Sequence, residues 1–225
     1  MTFSLVARCA TTGMTGIVIS SSSPAVAARC AHVRAGVGAV ASQNVTDPAL
    51  GPLVLDRMAA GEGAARAVAA VIDGRAHARF RQILAVDARG GTAIHTGAGV
   101  LGLWGQAEGR DCAAGGNLLA DPGVPAAMVA AFAAAGGPFG DRLIAALRAG
   151  RDAGGEAGPV HSAGLRIAHR LDWPWADLRC DWLDEGCPIE AVARAWAVYA
   201  PQAEDYVRRA LDPAAAPSYG VPGDE

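Results

Sequence analysis

The residues best suited to chemistry stand at the start of the chain. Met1-Thr2 opens it, and removal of an initiator Met is favoured when the next residue is small, which makes Thr2 a candidate mature N-terminus. A Thr with a free α-amine carries a nucleophile and its own general base on one residue, a combination that opens amide and peptide carbonyls. Thr2 also reads as an ordinary β-branched strand starter, because Phe3, Leu5 and Ala7 alternate with Ser4, Val6 and Arg8 in a stretch apolar on both faces. Acyl transfer further needs a cation, an amide and N–H donors near the nucleophile. Arg34, Ser42-Gln43-Asn44 and Asn117 are polar spots of that kind, and each also reads as a capping or turn residue.

Other motifs carry less. Gly97-Ala98-Gly99-Val100-Leu101-Gly102 matches the dinucleotide fingerprint, with Asp121 downstream, but Leu103-Trp104-Gly105 follows where that fold needs a helix. It is read as a Gly-rich loop. Ser162 follows His161, but Val160 breaks the nucleophile-elbow pattern. His32, His77, His95, His161 and His169 are dispersed, and Asp181, Asp184 and Glu185 near Trp182 have no His close in sequence. No metal site is expected from such spacing. The chain has no Lys, so Lys-based Schiff-base chemistry is excluded.

Composition bounds the rest. The 225 residues suit one domain with a sizeable core, residues 1–212, followed by a loose Pro/Ala/Gly-rich tail over 213–225. A net charge of −3 without a basic cluster argues against nucleic acid. No apolar run reaches the ~20 residues of a membrane span. Five cysteines, none in C-x-x-C spacing, fit a reducing cytoplasm with free thiols.

These residues need elements to hold them. The first strand turns at Thr11-Thr12-Gly13 into a second over Gly16–Ser20, and Val33 to Gln43 reads as a third strand. Two helices follow, from Asp47 to about Ala60 and from Glu62 to Ile72, then a hairpin of Gln82–Asp87 and Thr92–Thr96. Cys112–Leu119 reads as a short strand. Ala-rich helices follow over 124–134 and 140–149, and Gly150–Gly158 as a polar, flexible loop. Val160–Ile167 and Ala176–Asp181 read as a final pair of strands, and Pro188 opens one helix through about Leu211. Strand pairs separated by helix pairs predict an α+β, four-layer αββα sandwich of two antiparallel sheets flanked by helices.

Four segments together resemble a known family: Met1–Arg8, Arg34–Gln43, Phe80–Asp87 and Gly116-Asn117-Leu118-Leu119. In this order they are similar to the DUF1028 family, which is grouped with the N-terminal nucleophile (Ntn) hydrolases, and the similarity covers roughly residues 2–182. Ser21-Ser22-Ser23 departs from it, since members have a bulkier apolar run there. The resemblance implies the same αββα sandwich and an amidohydrolase with Thr2 as nucleophile. Arg34 would be its helper cation, lowering the amine pKa or binding a substrate carboxylate. Gln43 and Asn117 would orient the carbonyl, with Ser21, Ser42, Asn44, Ser162 and Asp177 contacting substrate. The expected partners are a small-molecule or peptide substrate and further copies of the chain, with no cofactor, nucleic acid or membrane. The alternative is a non-catalytic binding or assembly protein on the same fold.

Overall fold

Regular structure begins at Thr2. In the computed structural model, which describes residues 1–224, strand β1 (Thr2–Arg8) is buried from Thr2 through Ala7. It pairs antiparallel with β2 (Thr15–Ser21) across the turn at Gly13 (φ 74°), a left-handed position that suits glycine. Short helix α1 (Val26–Cys30) leads to β3 (Ala31–Arg34) and β4 (Gly38–Asn44). Helices α2 (Leu50–Ala59) and α3 (Ala64–Ile72) come next, then β5 (Arg81–Asp87), β6 (Thr92–Thr96), β7 (Trp104–Gly109) and β8 (Cys112–Asn117). The chain closes with α4 (Val124–Ala134), α5 (Phe139–Asp152), β9 (Ser162–Ala168), β10 (Ala176–Cys180), α6 (Pro188–Tyr199) and α7 (Ala203–Leu211).

The strands form two antiparallel sheets, ordered β10-β9-β2-β1-β8-β7 and β3-β4-β5-β6. Alternation on β1 decides the layering. Phe3, Leu5 and Ala7 point outward into a core with Met128, Phe132, Leu143 and Leu147 of α4 and α5. Val6 points inward, with Ile17 and Ile19, to meet Ala39, Ala41, Leu84 and Val86 of the second sheet. The outer face of that sheet, Val40, Ile83 and Ala85, packs on Leu50, Val54, Val68 and Val71 of α2 and α3. The result is the expected sandwich of helices, two antiparallel sheets and helices. Full burial of a side chain the size of Phe3 contributes roughly 2–3 kcal/mol.

Four expectations need correction. The third strand is two: the chain reverses at Gly36 (φ 69°), so β3 and β4 form a hairpin with Arg34 opposite Gly38. Gly38 also lets β4 approach β5, because a Cβ there would lie 2.2 Å from the Val86 carbonyl oxygen. Residues 104–109, given no element by the sequence, form edge strand β7, whose exposed Trp104, Gln106 and Glu108 give no buried alternation to detect. The final helix breaks at Pro201 into α6, a 3₁₀ turn and α7. Residues 155–157 pair with 118–120, through Ala120 N–H to Gly155 O, Ala157 N–H to Leu118 O and the Leu119–Glu156 bridge, where a flexible loop was expected. In the C-terminal stretch, Arg209 donates to the carbonyls of Pro217 and Ser218 and stacks on Tyr219.

The Gly-rich loop is a packing device. A Cβ at Gly97 would sit 2.3 Å from the Arg79 carbonyl oxygen, so only glycine lets this loop cross the turn before β5.

Candidate active site

Strand register places one polar row across the first sheet. Thr2 pairs with Asn117 on β8, which pairs with Trp104 on β7. On the other side Thr2 adjoins Ser21, which pairs with Ser162 on β9. Ser162, Ser21, Thr2, Asn117 and Trp104 thus occupy five neighbouring strands at one end of the sheet. Directly opposed residues in such a ladder hold their Cβ atoms ~5 Å apart. Thr2 is 6% exposed, and its Oγ1 lies 3.4 Å from Ser21 Oγ. Both hydroxyls donate to the Met1 carbonyl, and Ser21 Oγ also accepts from Ser23 N–H at 3.0 Å.

Behind this row a chain of side-chain amides fills the space between the sheets. Ser4 Oγ donates to Gln43 Oε1 at 2.6 Å. Gln43 Nε2 donates to Gln82 Oε1 at 2.9 Å and to the Gly115 carbonyl at 3.2 Å. Asn117 Nδ2 donates to the same Gln82 oxygen at 3.3 Å. Gln82 Nε2 donates onward to Thr96 Oγ1 and the Gly116 carbonyl. Gly115 makes room for this chain, since a Cβ there would lie 2.8 Å from Leu84 Cδ2 and 3.5 Å from Gln82 Nε2. Gln43 and Asn117 are therefore brought to the Thr2 end of the sandwich. Gln82 was not foreseen; the signal for it, as for Ser4, is a polar residue in the inward phase of an otherwise apolar strand.

On the β2 side stands a carboxylate that sequence reading missed. Glu156 is 5% exposed, and both its oxygens accept from Ser22 N–H at 3.0 and 3.2 Å. Burial pushes its carboxyl up to about 7, against the opposing pull of the N-terminal amine, the Ser22 donors and His161. His161 Nδ1 lies 2.8 Å from the Leu183 carbonyl, and its ring stacks on Trp182 at 4.5 Å between centroids. Trp182 does have a histidine neighbour, one brought by folding from the residue just before β9. Nothing local in Gly154-Gly155-Glu156-Ala157-Gly158 marks that glutamate.

The other expected site residues lie elsewhere or hold structure. Arg34 does not approach Thr2. The β3–β4 turn sets it opposite Gly38, five strand residues from Gln43, roughly 17 Å away along the sheet. There it pairs with Asp56 at 2.8 Å on the surface. Asp177, on outermost β10, pairs with Arg166 at 3.1 Å. Ser42 is in the outward phase of β4 and donates to the Asp47 carbonyl at 2.9 Å. Asn44, at φ 75°, donates to the Phe80 carbonyl and accepts from Leu101 N–H, clasping two loops. Ser162 belongs to the row, but its Oγ donates to Ser23 O at 2.6 Å and accepts from Val26 N–H, which holds the turn into α1. Among the described residues, no group of three or more His, Cys, Asp and Glu side chains is placed to hold a metal, and no helix is long and apolar enough to cross a membrane.

Comparison with known proteins agrees with the fold. The crystal structure of protein SPO2555 from Silicibacter pomeroyi, assigned to DUF1028, superimposes with a TM-score of 0.85 at 29% identity, covering 92% of this chain and 90% of that one. No curated protein matches. The model of the family of unknown function DUF1028 matches residues 2–192, and the chain therefore belongs to the DUF1028 family.

Proposed function

We propose that the chain is an N-terminal nucleophile amidohydrolase acting on a small amide or peptide bond, with Thr2 as nucleophile once Met1 is removed. Support comes from the place of Thr2: the first residue of an inner strand, held between Ser21 and Asn117. Most termini fray; this one is fixed by neighbours on both sides. Thr2 Oγ1 attacks the substrate carbonyl carbon as its proton passes to the α-amine. The C–N bond breaks as that proton moves to the leaving nitrogen, and water then releases the acid from the Thr2 ester by the same relay. Asn117, backed by Gln82 and Gln43, supplies the amide dipole that orients the carbonyl. Arg34 has no part in it, because it sits at the far end of the sandwich.

The second reading is a binding or assembly protein on the same fold. What favours it is that, with Met1 in place, Thr2 Oγ1 lies against the Met1 carbonyl and the residue is nearly covered. The mass of the purified native protein separates the two, and a retained Met1 ends the hydrolase reading. With Met1 gone, Thr2→Ala should abolish hydrolysis across a panel of small amides. Its folding should survive with a loss of about 1 kcal/mol for one buried hydroxyl, and Thr2→Ser should keep turnover. The five free thiols support a reducing, cytoplasmic setting. Self-association of the chain is the further expectation, and sedimentation velocity checks it.

A further inference from the structure

A single exposed apolar side chain is ordinary, but a group of them beside a site marks a place where something apolar rests. Among the described residues twelve large apolar side chains are exposed, and four of them, Val45, Leu101, Leu103 and Trp104, gather at the Thr2 end of the sandwich. Hydrogen bonds join them into one lip. Leu101 N–H donates to Asn44 Oδ1, beside Val45, while the Leu101 and Leu103 carbonyls accept from Leu118 and Leu119 N–H. Glycines fix the loop that carries them: a Cβ at Gly99 would lie 2.9 Å from Phe80 Cδ1, and one at Gly102 (φ 63°) 2.5 Å from Leu118 Cδ2. Trp104 pairs with Asn117, which pairs with Thr2, so all three side chains leave the sheet on its inner face. Trp104 stands two strands from Thr2, roughly 10 Å away, and is 47% exposed.

The charges at this end lie elsewhere. Glu156 and His161 are on the β2 and β9 side. Arg79 stacks on Phe80 at 4.5 Å, and Arg81, in the outward phase of β5 with Ile83 and Ala85, donates to the Val45 carbonyl. Next to Trp104 on the inner face of β7 comes neutral Gln106, which accepts from Thr96 Oγ1 at 2.8 Å. Glu108 is four residues along the strand, roughly 14 Å from Trp104.

We infer that Trp104, with Leu101 and Leu103, determines the specificity of the site, selecting amides whose group on the Asn117 side of the amide bond is neutral and apolar. For the reaction this rests on the amidohydrolase reading; for binding it does not. With the amide at Thr2 and Asn117, a flanking ring or branched chain lies on the indole and the leucines, and each face shields the other from water. A charged group in that place loses hydration and meets no opposite charge, which counts against it.

The test is NMR titration of ¹⁵N-labelled protein. The chain has five Trp, and the indole N–H signal of Trp104 is the one lost in Trp104→Phe. The ligands are phenylacetamide and N-benzylacetamide, which carry the ring on either side of the amide, with acetamide and succinamate as small and anionic controls. They are added to Thr2→Ala, which leaves the amide uncleaved. One of the two aromatic amides should move the Trp104 signal saturably and bind at least about tenfold more tightly than either control, the scale on which apolar contacts discriminate. The double variant Leu101→Ser/Leu103→Ser, altered only at exposed positions, should weaken that amide and leave acetamide unchanged. An unmoved Trp104 signal, or a control bound as tightly as both aromatic amides, overturns the inference. Hydrolysis of the same four amides by the native protein keeps the two ideas apart. Aromatic preference in binding with no hydrolysis removes the nucleophile and leaves the lip. Hydrolysis without preference removes the lip and leaves the nucleophile.

Discussion

At the scale of single residues, the buried amide chain is where the site and stability meet. Gln82 satisfies all of its side-chain hydrogen-bonding groups: it receives Gln43 and Asn117 and gives to Thr96 and Gly116. Leucine of nearly the same size would strand two amide donors and a carbonyl. Each buried orphan costs ~1–3 kcal/mol, so Gln82→Leu should lower unfolding free energy by roughly 2–4 kcal/mol in urea titrations. A change under 0.5 kcal/mol would mean that water reaches the chain. Thr2, Gln43 and Asn117 were legible because each is polar at a strand end. Glu156 was not, because its significance arises only when residues 155–157 pair with 118–120. Arg34 was misplaced for a related reason: two glycines in an apolar run fit a straight strand as well as a hairpin, and only pairing tells them apart.

At the scale of elements, small residues set the helix packing. Gly140, in the first turn of α5, faces Trp196 of α6, and a Cβ there would come within 2.2 Å of the indole ring. Trp196 is 4% exposed and donates to Asp141 at 2.6 Å, so it has little freedom to retreat. Alanine in a helix is worth about 1 kcal/mol over glycine, whereas overpacking costs typically 1–3 kcal/mol. With the ring pinned the second effect should win. Gly140→Ala should lower Tm by a few degrees, at about 2–4 °C per kcal/mol for a chain of this size. A raised Tm would show that α5 and α6 separate easily. Apolar patterning made the core strands and α2 readable, and alanine content made α4 and α5 so. Strand β7 and the break at Pro201 escaped because the first lies at an edge and the second inside an otherwise helical pattern.

At the scale of the whole molecule, two buried titratable groups pull stability in opposite directions with pH. Burial, aided by Arg166, lowers His32 to about 4. Its contribution is present above its ordinary value near 6.5 and is lost as pH falls towards about 4. The Glu156 carboxyl, raised to about 7, contributes fully below its ordinary 4.5 and loses that contribution as pH rises through about 7. Between pH 4.5 and 6.5 the unfolded chain gains a proton at His32 and the folded chain holds one at Glu156, so the two slopes cancel. Stability should be nearly flat there. In Glu156→Gln it should fall by ~1.4 kcal/mol per pH unit on acidification, the value for one uncompensated proton. Denaturant titrations at pH 5 and 6 measure this, and parallel profiles for the two proteins would refute it.

The position of β1 has a kinetic consequence during synthesis. Its partner β2 follows within twenty residues, but its other neighbour, β8, begins at Cys112. At roughly 5–20 residues per second, β1 waits on the order of ten seconds on the ribosome with one edge unpaired. In the finished fold the Met1 carbonyl is engaged by Ser21 and Thr2. On the hydrolase reading proposed above, excision of Met1 therefore has its widest opportunity in that interval, before β8 arrives and seals the row. Slowing the excision enzyme relative to translation should leave a population of folded chains that keep Met1 permanently.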